Sequence, residues 1–162
     1  PIYREIDSKV RRLAELVTDV GSRNLSPEER VELHTICVFF DTTARNHHLD
    51  EEKHIFPALL SSEDEKVVHA ASRLTQDHGW LEENWIEIYP HLEALSQDSG
   101  SYDYAELSHG MDVFSALYSE HMQLEESLAY PAAKKTPHLI DVLGAGREMA
   151  QRRFKKQLDQ AI

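Results

Sequence analysis

His47-His48-Leu49-Asp50-Glu51-Glu52-Lys53-His54-Ile55-Phe56-Pro57 has an echo later in the chain, His121-Met122-Gln123-Leu124-Glu125-Glu126-Ser127-Leu128-Ala129-Tyr130-Pro131. The agreement reaches upstream to Phe40 and Phe114, so phenylalanine, histidine, two glutamates, an aromatic residue and proline recur at identical spacing. In an α-helix a residue four later lies about 40° round the axis and one turn along, so His47/Glu51 and His121/Glu125 each stack on one helical face. Imidazole nitrogen with carboxylate oxygen suits first-row metals, and one carboxylate can bridge two ions. A single His-x-x-x-Glu in a chain with ten histidines is ordinarily an exposed helical pair. Two copies, each with phenylalanine two turns upstream, argue for burial, and a buried ionised glutamate needs a metal or a partner to offset its desolvation.

The sequence around these blocks reads as helix. In Ile2 to Val20, apolar Ile6, Val10, Leu13, Val17 and Val20 recur at three to four residue spacing, the mark of one buried face. Gly21 and Asn24 end it. Ser26-Pro27-Glu28-Glu29 is a helix start with an N-cap serine, proline at the first helical position and glutamate three after the cap, and it opens a second helix predicted to run to near Pro57. Ser62-Glu63-Asp64-Glu65 repeats the capping pattern and opens a third helix that fades near Tyr89-Pro90 or slightly beyond. After the polar connector Ser96 to Ser101, a fourth helix spans roughly Tyr104 to Lys135, and Pro137 restarts a shorter helical segment broken near Gly144-Ala145-Gly146. Long helices on short connectors pack as an all-α, up-down-up-down antiparallel four-helix bundle. The chain is therefore expected to form a single domain, the bundle covering about residues 2–135 and the C-terminal helical segment about 137–160.

Composition narrows the function classes. With 29 acidic against 17 basic residues and a formal charge of −12, nucleic acid and anionic membranes are excluded as main partners. No apolar run approaches the roughly 18 residues of a membrane span. The single cysteine, Cys37, rules out an intrachain disulfide framework and reads as a small core residue. The first residues lack the basic-then-apolar layout of a secretion signal, so a reducing cytoplasm is the expected compartment.

A third histidine belongs with the repeat. His78 lies on helix three among Leu74, Leu81 and Trp85, and beside two paired motifs it reads as a ligand rather than a core histidine. Glu82, four residues on, is left out of the ligand set. His48, about 100° round the helix from His47, reads as an outer or solvated residue. His34, His54, His69, His91, His109 and His138 lack a partner pattern, and Tyr118, one turn before His121, reads as an ordinary core tyrosine.

These blocks resemble the two signature motifs of the hemerythrin-like, or HHE cation-binding, family. Phe39-Phe40-Asp41-Thr42, Asp77-His78 with Trp85, and Leu143-Gly144 through Arg147-Glu148-Met149-Ala150 are similar to its bacterial stand-alone members, and the similarity extends from about Pro1 to Arg153. The resemblance implies a four-helix bundle with a dinuclear iron site, its two glutamates bridging and its histidines terminal, able to meet dioxygen or related small oxidants. The family normally draws a histidine from helix one, yet no histidine precedes His34 here. Aligning Ile6-Asp7-Ser8-Lys9-Val10 with the surroundings of that histidine puts Asp7 in its place, as a ligand or as an acidic residue favoured by the helix dipole.

The expected metal set is thus His47, Glu51, His78, His121, Glu125 and Asp7, holding iron, two ions per chain, with zinc or manganese as alternatives. The expected partners are metal ions and a small diatomic or peroxide ligand. A homodimer is compatible with the frequency of two-fold assemblies among small bundles. Binding, sensing or reacting with dioxygen or a related oxidant, or handling iron, is the first functional reading, and no catalytic residues are assigned. A di-iron enzyme such as a peroxide-consuming oxidase or an iron-sulfur repair protein is the second, and a metal-free helical interaction module the third.

Overall fold

The computed structural model describes residues 2–135. Its order is α1 (Ile2–Val20), α2 (Pro27–Phe39), a π-helical turn π1 (Phe40–Ala44), α3 (Arg45–His54), α4 (Phe56–Leu60), α5 (Glu65–Ser96), α6 (Tyr104–Leu124), a second π turn π2 (Glu125–Ala129) and α7 (Tyr130–Lys135). These form four helical arms: α1, then α2 through α4, then α5, then α6 through α7. Short connectors make successive arms antiparallel, and α1 packs on α2 and α6 while α5 packs on α2, α4 and α6. The all-α bundle expected from the sequence is what the chain forms. The segment expected at 137–160 lies outside the described residues.

The starts are set by side-chain caps. Ser26 Oγ accepts from the Glu29 amide at 3.1 Å and the Glu29 carboxylate accepts from the Ser26 amide at 2.9 Å, a complete capping box with Pro27 at the first helical position. Asp103 caps α6 by accepting from the Glu106 amide at 3.0 Å. At α5 the cap is Asp64, which accepts from the Lys66 amide, while Ser62 only braces the Asp64 amide. The expected end near Pro90 is overrun, because α5 continues to Ser96. An interior proline costs about 3 kcal/mol, and burial of Leu92 and Leu95 beyond it, in line with Ile88, offsets that cost. Gly110 lets α5 and α6 approach, since a Cβ there would collide with Cγ2 of Ile88.

On α1 the predicted stripe is buried at Ile6, Val10, Leu13 and Val17, with Leu16 added and Val20 only partly covered. The larger core joins these to Leu33, Phe40, Leu81, Trp85, Phe114 and Tyr118. A smaller core at the other end holds Phe56, Leu59, Val67, Ala71, Leu74 and Ala129. Between them, Glu51, Asp77, His78, His121 and Glu125 form a buried polar layer. Apolar packing above and below thus fixes where a site can form.

Candidate metal centre

Each arm except α1 sends a polar side chain into this layer at the point where its apolar pattern breaks. On α5, Asp77 and His78 fall between Leu74 of one core and Leu81 of the other. The fourth arm places His121 and Glu125 between Tyr118 and Ala129 in the same way.

The nitrogens and oxygens converge. His47 Nε2 lies 3.2 Å and His78 Nε2 3.6 Å from Glu51 Oε1. His121 Nε2 is 2.7 Å from Glu125 Oε1 and 3.2 Å from His78 Nε2. Two groups of ligand atoms result, each compact enough for one ion: His48, Glu51, His78 and His121, and His47, Glu51 and Glu125. Glu51 belongs to both, as a bridging carboxylate must.

The outer contacts orient the rings. His78 Nδ1–H donates to Glu52 Oε1 at 2.9 Å, and since a carboxylate only accepts, the Nε2 lone pair of His78 faces the centre. His121 Nδ1 faces Asp77 Oδ2 at 3.6 Å, and Arg73 Nε donates to Asp77 Oδ1 at 3.1 Å. Tyr130 O–H donates to Glu51 Oε2 at 2.7 Å, leaving Oε1 to the histidines. The Tyr130 ring packs on Tyr3, which also meets the edge of His47.

Buried charge dominates the electrostatics. Burial, then the neighbouring Glu125, raises the Glu51 carboxyl well above the usual range. For Glu125 burial works against ionisation, but hydrogen bonding from His121 and Glu51 prevails and lowers its pKa. Burial likewise pulls His121 down, yet Asp77 and Glu125 more than compensate and raise it to about 9. Burial, then the neighbouring His121, lowers His78 to about 4. Burial also lowers His47 and takes His48 well below its ordinary value. Glu51 Oε1 and Glu125 Oε1 are both buried without a hydrogen bond of good geometry. Two carboxylate oxygens in that state beside converging imidazole nitrogens, with no thiolate in either group, fit one or two first-row cations.

Five of the six sequence-predicted ligands, His47, Glu51, His78, His121 and Glu125, come together in this way. Asp7 is placed elsewhere. Its Oδ2 pairs with Arg11 Nε at 3.0 Å, the side chain is 44% exposed, and it joins neither group. From α1 it is Tyr3 that reaches the layer.

His48 is the residue the sequence reading set aside, and π1 explains why. On an unbroken α-helix His47 returns to within about 20° of the Phe40 face after seven residues. A π turn takes up one extra residue, so after π1 it is His48 that comes back to that face. The His48 ring accordingly stacks on His78 with centroids 4.1 Å apart and lies 5.9 Å from Tyr118. The available sequence signal was His48/Glu51 at three-residue spacing, which flanks Glu51 from the side opposite His47.

A helical bundle with a buried layer of histidines and shared carboxylates defines a class of metal-binding protein. Sequence comparison gives the family: the hemerythrin HHE cation binding domain profile matches residues 3–139, and the chain belongs to that family. It is also similar to an uncharacterized protein of Haemophilus influenzae, 28% identical over 127 residues, 78% of this chain and 70% of that one.

Proposed function

We propose that the protein is a non-haem di-iron protein that binds, senses or reacts with dioxygen or a related small oxidant. The observation that carries this is Glu51, whose Oε1 is buried without a hydrogen bond of good geometry and whose carboxylate is common to two groups of ligand atoms that each lie within 4.8 Å of one another. His48, His78 and His121 with Glu51 would hold one ion, and His47 and Glu125 with Glu51 the other. When bound, such a pair supplies redox electrons and open positions for a small oxygen ligand. The chain's own residues do the rest. Glu52 and Asp77 keep Nδ1 of His78 and His121 occupied so that Nε2 points inward, and Tyr130 restrains the outer oxygen of Glu51. Phe56, 5.4 Å from His78 by ring centroids, and the buried Phe114 set apolar surface at the two ends of the layer.

Anaerobic loading with ferrous iron, followed by metal analysis and absorption spectra before and after admitting air, tests the reading. Close to two irons per chain and a spectral change on oxidation are expected. Retention of less than about one ion per chain refutes it, since donors of this number and type would then not constitute a site.

A further inference from the structure

Beside the four-donor group a cavity of about 90 Å³ opens between α3, α5 and α6. His48 and His78 form its inner end, Trp85, Leu81, Phe114 and Tyr118 its walls, and Leu49 with the Arg45–Glu82 ion pair its outer end. The ion pair spans 3.0 Å and both side chains are at least half exposed, so little holds it shut. We propose that this cavity seats a short-chain organic hydroperoxide, its oxygen end against His48 and His78 and its alkyl end against Trp85 and Phe114.

Three observations lead there. The first is size. One water occupies about 10–15 Å³ on this measure and a cavity of about 150 Å³ takes benzene, so 90 Å³ suits roughly two to five non-hydrogen atoms and exceeds what a diatomic needs. The second is charge: Glu52 and Glu82 outnumber Arg45 around the cavity, which favours a neutral molecule over an anion. The third is the division of polarity. One end carries the His48 and His78 imidazoles with Glu52 and the walls are aromatic or aliphatic, a pattern that orients a molecule with one polar head and a small apolar body.

The inference rests on the metal reading only for the inner end, and its test separates the two. In metal-free protein, Trp80→Phe leaves Trp85 as the lone tryptophan, excited selectively over the tyrosines, and Trp85→Phe leaves the exposed Trp80 as a surface reference. Acrylamide, small and neutral, should quench Trp85, whereas iodide should quench it several-fold less than its effect on Trp80 predicts. Leu49→Phe, at a half-exposed position, should cut acrylamide quenching of Trp85 several-fold without unfolding the protein. In the iron-loaded protein, ferrous iron would supply the two electrons, and solvent the two protons, that cleave the O–O bond to alcohol and water. Relative to hydrogen peroxide, ethyl hydroperoxide, with four non-hydrogen atoms, should oxidise that protein at least about tenfold faster than cumene hydroperoxide, whose phenyl group overfills the cavity. Equal quenching by iodide, indifference to Leu49→Phe, or no size discrimination would overturn the assignment while the iron reading stands. Failure to retain iron would overturn the hydroperoxide assignment together with the proposed function, and the quenching results would still decide whether the cavity admits small neutral molecules.

Discussion

Replacing Glu51 by glutamine should shift the metal-free and the iron-loaded protein in opposite directions. Glu51 is 1% exposed, and burial, followed by its hydrogen bond to Glu125 and then the Glu125 charge, raises its pKa. An acid whose folded pKa lies above its unfolded value of about 4.3 costs stability as pH rises past that value, and the full cost is reached once the folded pKa is exceeded. Glutamine removes the charge, keeps the shape and still offers an oxygen to Tyr130 O–H. Each unit by which the folded pKa exceeds the unfolded one costs about 1.4 kcal/mol once the group is ionised in both states, a cost that glutamine escapes. Taking about 1 kcal/mol, the melting temperature of the metal-free protein at pH 8 should rise by about 2–4 °C for a chain of this length. The loaded protein should fall instead, because both ligand groups lose their common carboxylate. At iron one hundred times its dissociation constant the wild type gains about 2.7 kcal/mol, and a hundredfold loss of affinity removes most of that gain. Circular-dichroism melts with and without anaerobic ferrous iron read both effects. A variant that is destabilised without metal, or whose iron-induced gain equals that of wild type, would refute the assignment of Glu51 as the shared ligand.

Other outcomes follow from the same geometry. Glu52→Ala, at a partly exposed position, frees His78 Nδ1 and should weaken iron binding by about 10–100-fold while leaving the melting temperature of the metal-free protein nearly unchanged; equilibrium titration against a competing chelator measures it. The metal-free protein should be most stable near neutral pH. His121, raised to about 9, contributes stability that is full below its unfolded pKa of about 6.5 and is lost as pH climbs through 9, whereas His78, lowered to about 4, loses stability for the fold as pH drops from 6.5 to 4. Melts across that range should trace the two flanks, and iron affinity should increase up to pH about 9 as His121 gives up its proton. Gly110→Ala should cost about 1–3 kcal/mol by forcing Ile88 aside, with iron content per folded chain retained, as denaturant unfolding and metal analysis will show.

The fold and most of the centre were legible because both rest on periodicity. Apolar spacing in α1, the Ser26 box and the Phe40/Phe114 echo are one-dimensional signals of three-dimensional faces, and they led to His47, Glu51, His78, His121 and Glu125. What was not legible depends on departures from the ideal helix or on contacts between arms. A π turn leaves no mark in hydrophobic spacing, so the phase change that brings in His48 was hidden. Tyr130 meets Glu51 across 79 residues and Glu52 meets His78 across 26, and a single sequence carries no record of such pairs. Asp64 displaced Ser62 as the cap of α5 because both residues can cap and only the backbone geometry chooses. Asp7 was placed by alignment to a motif, and the i,i+4 attraction of Arg11 is a local competitor for the same carboxylate.

The sharing of Glu51 between unlike donor sets bears on the order in which the centre fills. The set with His48, His78 and His121 is rich in nitrogen, and the set with His47 and Glu125 is rich in oxygen. Imidazole-rich sites favour the later first-row metals and carboxylate-rich sites accept harder ions. If both sets fill, as proposed, an ion in the first set would draw electron density from Glu51 and weaken its pull on a second, so loading would be stepwise, with the later step the weaker. A titration with one metal should then show two unequal steps, and a mixture of metals should sort itself between the two sets.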